Sequence, residues 1–308
     1  YNTYLMLGVL AVTWLFLPFL YWAGLRFNAR MSSYRNVRFD FTAPLISMFK
    51  IILFYPLLTI ATLGGVLAGA WYVNMAFAEF FAAIYIFLVP YLFIKWKVML
   101  DNHIYDHYSY GECEFETILS KKEYFFAYAN ATGLYIGMFV GLIVSIVLLG
   151  FIFHDSTFIR QLMIDFDRYN NGFRTHVPFA VYIMVFLSYL VTGLMGWAWK
   201  STIFYRIRNH IYENISVYIP GGKTLQVTSI LEFKPFVGLV LSNILMLFFS
   251  FGLAWPATRV RLAEHFTENT LIEGELDVAI ASNADLQDVN VFGEEADDFF
   301  GMNDDFGI

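Results

Sequence analysis

Cysteine is nearly absent. One residue, Cys113, serves 308 positions, so no internal disulfide can form and the stapled scaffolds of small secreted domains are excluded. Charge is scarce too, at 15% of residues, and no Lys or Arg occurs from Leu262 to Ile308. A net charge of −7 gives no reason to expect a nucleic-acid partner. Nucleophile elbows, phosphate-binding glycine loops, dinucleotide fingerprints and HExxH zinc motifs are all missing from the sequence. Neither an enzymatic activity nor a cofactor is therefore expected.

Apolar residues are plentiful instead: 58% of the chain is hydrophobic and 20% aromatic, far above a soluble domain. Runs near 4–24, 51–71, 77–95, 132–153, 178–198 and 236–255 are each long enough to cross about 30 Å of hydrocarbon. This predicts a polytopic α-helical membrane protein with six membrane segments, its first partner being the lipid bilayer. Tyr1 opens directly on an apolar run without a charged start, which reads as the interior of a longer protein. Fourteen of the nineteen basic residues lie in 25–50, 95–131 and 199–235, against three in 154–177. Basic residues are retained inside, so these long connections are expected to be cytoplasmic.

The connections resemble one another. NHIYDHY begins at Asn102 and NHIYENI at Asn209, and each leads into a segment of period two, the mark of a half-buried strand. Such segments are Val37–Phe41, Glu112–Glu116 and Thr224–Thr228. The unit reads as helix, β-hairpin, helix, an internal repeat, with hairpins near 33–42, 103–117 and 210–229 inside a membrane domain of residues 1–262. A fourth hairpin is expected at 263–280, and the four would share edges as a cytoplasmic cap. Ser33, His103, His210 and His265 fall at the handover from helix to hairpin, where a side chain satisfying loose backbone groups is needed. For the fourth hairpin to join the others, the last apolar segment must re-enter rather than cross; Gly252 and Pro256 would break it.

The run GLRFNARMSSYRNVRFDF, the NHIY and ENIS elements, the AWPATRVRLAEHFTENT segment and the GELD turn resemble the YjgN family of bacterial inner-membrane proteins. The resemblance covers most of residues 20–280. It implies a multi-pass protein of the bacterial inner membrane and brings no activity, catalytic residue or ligand.

Within the apolar runs the departures are Glu79, Asn243 and, near an edge, Lys50, a candidate intramembrane polar site because ionisable groups there are costly. His103 and His107 have the i, i+4 spacing of a metal pair, but the second copy has Asn214 in place of His107, which argues against a metal. His154, Asp155, Asp165, Asp167 and His176 read as a solvated outer loop. Gly133, Gly137 and Gly141 line one helix face and Gly65 with Gly69 another, so tight helix contacts are expected there, within the chain or with a second copy or another membrane protein. Pro18, Pro56 and Pro90 interrupt spans, where neighbours must serve the freed carbonyls.

Two functions remain. One is transport-like handling of a small molecule or lipid between repeats. The other is a non-catalytic scaffold or sensor binding a partner through its cap and its acidic tail, 281–308, in which Phe299, Phe300 and Phe306 would dock while the acids face basic surface.

Overall fold

The computed structural model describes residues 3–34, 37–152, 179–219 and 223–274, with six further positions between 160 and 171. The chain divides into two compact units, one drawn from 1–124, 209–230 and 270–308, the other from 125–208 and 231–269. The second strand of the fourth hairpin and the tail with Phe299, Phe300 and Phe306 lie outside the described residues.

In the first unit, α1 (Thr3–Arg30) leads into β1 (Ser33–Tyr34) and β2 (Val37–Phe41). A helical run follows as α2 (Leu45–Phe49), a π-turn (Lys50–Phe54) and α3 (Tyr55–Val73). Asn74 then caps α4 (Met75–Tyr105), its side chain accepting from the Ala76 N–H at 3.1 Å. The π-turn has a local cause. Its widened spacing runs from the Tyr55 N–H to the Lys50 carbonyl, and the next rung would need an N–H at Pro56, which has none. The Trp96 indole of α4 donates to the stranded Ile51 carbonyl at 2.7 Å instead.

Among the described residues four helices are long and apolar enough to cross a membrane: Thr3–Arg30, Leu45–Val73, Met75–Tyr105 and Lys121–Leu148. Little of their surface is buried inside the protein, as suits helices whose outer solvent is hydrocarbon.

β3 (Tyr108–Tyr110), β4 (Cys113–Thr117), β5 (Ile215–Ile219), β6 (Lys223–Ser229) and β7 (Thr270–Glu273) complete one antiparallel sheet in the order β1 to β7. Between β4 and β5 lie α5 (Lys121–Ile152) and α6 (Phe179–Glu213). Neighbouring strands are also neighbours in sequence, yet three of the six pairings join strands separated by helices. Aromatic cross-strand pairs fix the register: Phe39 faces Tyr110 and Phe41 faces Tyr108, with ring centroids 4.9 and 5.3 Å apart. Below the sheet Ala29, Phe41, Met48, Ile51, Leu100 and Ile104 form a buried core that ties the end of α1 to the end of α4.

In the second unit the sixth apolar run is broken. α7 (Phe233–Phe249) ends, the chain reverses, and α8 (Trp255–Glu268) returns. The reversal is a Schellman turn: the Gly252 N–H reaches the Leu247 carbonyl at 2.8 Å and the Phe251 N–H that of Phe248 at 3.3 Å. Phe251 occupies the left-handed position, φ 51°, where glycine is usual. Phe204, Phe236 and Phe266 cluster with centroids 5.5 to 6.0 Å apart. Within the hairpin expected at 263–280 the chain is helical as far as Glu268, because the preceding helix runs on, and among the described residues there the strand is Thr270–Glu273. Ser229 pairs with Thr270, so residues 230–269 leave and rejoin the sheet at adjacent positions.

Candidate functional site

A cavity of about 550 Å³ lies in the first unit between the helix ends and the sheet. Helical periodicity supplies one wall. Tyr21, Leu25, Asn28, Ala29 and Ser32 recur at i, i+4, i+7, i+8 and i+11 along the end of α1 and just past it, and Lys97, Asp101 and Tyr105 at i, i+4 and i+8 on α4. Strand periodicity supplies the other: Phe39, Phe115 and Val227 line the cavity from β2, β4 and β6, each two residues before its strand ends. Tyr105 and Tyr212, the tyrosines of the two NHIY stretches, both line it, as do Tyr108 and Ile215, the first residues of β3 and β5.

The floor holds a satisfied charge pair. Asp101 is buried, its Oδ1 receiving Lys97 Nζ and its Oδ2 the Tyr124 hydroxyl at 2.7 Å, so both carboxylate oxygens are occupied. Burial first, then the neighbouring phenols of Tyr21 and Tyr212, push the Tyr108 phenol above its ordinary range, so it stays a hydrogen-bond donor at neutral pH. The cavity is thus aromatic and apolar around one closed ion pair and several hydroxyls.

The histidines at the helix ends carry structure. His103, His210 and His265 each lie in the last turn of a helix, and the residue four places on folds back to the histidine's own carbonyl: His107 Nδ1 at 2.8 Å, Asn214 Nδ2 at 2.7 Å and Asn269 Nδ2 at 2.8 Å. At the end of α1 the same bond runs from Ser32 Oγ to the Asn28 carbonyl, at 2.8 Å. The position matching the histidines is therefore Asn28, and Ser33, expected there, is already the first residue of β1. Two of the outer ring nitrogens reach the start of the helical run that follows the preceding hairpin: His103 Nε2 meets Ser47 Oγ of α2 at 2.6 Å, and His210 Nε2 accepts from the N–H of Ser120, the residue before α5, at 3.0 Å. Burial lowers the affinity of His210 for a proton, against the opposing pull of Glu123 and Glu213. Among the described residues no cluster of three or more His, Cys, Asp or Glu is arranged to hold a metal.

The polar candidates Glu79, Lys50 and Asn243 are not one described site. Glu79 and Lys50 are exposed residues of the first unit, Lys50 opening the π-turn. Asn243 is buried in the second unit, where its side chain accepts from Arg261 Nη1 at 2.7 Å and donates to the Thr258 carbonyl at 3.4 Å. Arg261 Nη2 also reaches Ser242 Oγ at 3.2 Å, so the guanidinium is held between α7 and α8 by neutral partners.

A Cβ added at Gly65, Gly69, Gly133, Gly137 or Gly141 would meet nothing within 4 Å among the described residues, so of the contacts expected at these glycine faces none is made by the described part of this chain. Sequence reading singled out the histidines of NHIY and passed over Tyr105 and Tyr212 beside them. The signal available was their recurrence two residues after each histidine, together with the i, i+4 pair Lys97 and Asp101.

No curated protein and no solved structure shows significant similarity to the chain. The model of one family, described as bacterial protein of unknown function (DUF898), matches residues 1–299. This is the family to which the YjgN resemblance pointed. The chain belongs to the DUF898 family of bacterial proteins.

Proposed function

We propose that this chain is a multi-pass protein of the bacterial inner membrane that handles a small molecule or lipid in a transport-like manner, holding it in the cavity beneath the sheet. Six membrane segments follow: the four long apolar helices, the first part of α6, and the α7–α8 hairpin, which enters and leaves on one side. The ends of α1, α4 and α6 all lead into strands of one sheet, and α5 and α7 depart from it, which supports a single sheet face for every long connection. Fourteen basic residues on those connections make that face cytoplasmic. Phe248, Phe249, Phe251, Leu253 and Trp255 at the hairpin tip are exposed, as a segment ending in hydrocarbon requires.

One observation carries the reading. Positions that match between repeats converge on one cavity: Tyr105 with Tyr212, and Phe39 with Phe115 and Val227. Sites built where repeats meet are the general pattern of membrane transporters, and 550 Å³ falls within the usual size of a small-molecule site. The test is native mass spectrometry of the full chain extracted in native lipid particles. A small molecule should co-purify above the lipid background and disappear in Val227→Trp, whose indole fills the cavity, with unchanged helical content. No such mass, or equal occupancy in the variant, would refute the proposal.

A further inference from the structure

Taking the cavity as the place where a molecule is held, we infer that its ligand is uncharged: a single-chain or ring-bodied amphipathic molecule with a carbonyl or hydroxyl head. Among the described residues that line the cavity the charged ones are Lys97 and Asp101, and they are bonded to one another. Asp101 takes the Tyr124 hydroxyl on its other oxygen, so its charge is already met by Lys97 and each of its oxygens already has a donor before any cation arrives. Lys97 keeps two N–H donors, but with Asp101 directly attached it presents no net positive charge to an anion. A charged head would lose its hydration without meeting an opposite charge, which is a cost of several kcal/mol in general terms. A neutral oxygen suits the site. It accepts from Lys97 or from the phenols of Tyr105 and Tyr108, while the body lies on Phe39, Phe115 and Val227. A cavity of about 550 Å³ admits one chain and excludes a whole two-chain phospholipid.

The experiment uses the full chain in phosphatidylcholine nanodiscs with three photoreactive probes of equal chain length: a monoacylglycerol, a fatty acid and an alkylamine, each with a diazirine on its chain. Crosslinked peptides are identified by mass spectrometry. The monoacylglycerol should label peptides containing Tyr105, Phe115 or Val227 at least tenfold more efficiently than either charged probe. Unlabelled monoacylglycerol should compete, and the double substitution Tyr105→Phe with Tyr108→Phe should weaken competition about tenfold, as two lost hydrogen bonds predict. Preferred labelling by the fatty acid or the amine would overturn the inference and leave the cavity as a binding site. Absence of cavity labelling by all three would overturn both this inference and the handling role. Preferred monoacylglycerol labelling that survives Val227→Trp unchanged would place the probe outside the cavity and overturn the inference as well.

Discussion

The Tyr124 hydroxyl donates to Asp101 Oδ2 at 2.7 Å, and both residues are buried, so the first turn of α5 is bonded to the last turns of α4 beneath the sheet. The pair closes the floor of the cavity by completing the coordination of a buried carboxylate. Tyr124→Phe keeps the ring and removes the donor. It should cost about 1–3 kcal/mol, the penalty of leaving a buried acceptor unserved. Thermal unfolding in detergent checks this, and a loss near zero would mean that water or another donor replaces the hydroxyl.

His210 gives a pH dependence with a definite sign. Its Nε2 accepts from the Ser120 N–H, and burial lowers its pKa from the ordinary value of about 6.5. The unfolded chain therefore takes up the proton first as pH falls. The stability tied to neutral His210 is present above about 6.5 and is lost as pH drops towards the folded value. His210→Gln removes that titration. Melting temperatures from pH 8 to pH 5 should decline more steeply in the parent chain than in the variant. Parallel curves would show that His210 does not titrate across folding.

The π-turn predicts a rescue. Trp96→Phe strands the Ile51 carbonyl, which Pro56 cannot serve, and should cost about 1–3 kcal/mol. In a Pro56→Ala background the restored N–H supplies the bond, so the same substitution should cost less. A double-mutant cycle measures the difference, and equal costs in the two backgrounds would mean that the indole contributes by packing alone.

How much of this was legible in sequence differs by residue. The period-two runs around Phe39, Phe115 and Val227 announce strands, since alternation is a local property of the chain. The break near Gly252 is also visible, although the residue that adopts the left-handed C′ position is Phe251. The glycine faces are legible in sequence but their partners are not, because closeness of helices depends on what lies opposite, and a Cβ at Gly137 would meet nothing within 4 Å among the described residues. Ser33 misled by register: α1 ends on Arg30, which moves the matching position to Asn28, because the serine that closes the helix is Ser32 and not its neighbour. The cavity was hidden for a third reason. Its walls come from segments up to about two hundred residues apart, and only the pairing of β2 with β3 and of β4 with β5 brings them to one sheet.

The topology has its own test. In a Cys113→Ala background, Tyr218→Cys and Leu271→Cys lie at exposed sheet positions, and Tyr72→Cys lies at the exposed end of α3, two residues before Asn74. A membrane-impermeant maleimide applied to intact spheroplasts should label position 72 and should reach 218 and 271 only after lysis. Labelling of 218 and 271 from outside would invert the orientation read from the basic residues.

The central claim is that the cavity below the sheet holds a small molecule, and a density map of the full chain purified in its native lipid tests it most directly. A connected non-protein density should run from Lys97 and the phenols of Tyr105 and Tyr108 to the faces of Phe39, Phe115 and Val227. A map in which the Tyr105 and Tyr212 side chains close on one another and leave no room between helix ends and sheet would contradict it.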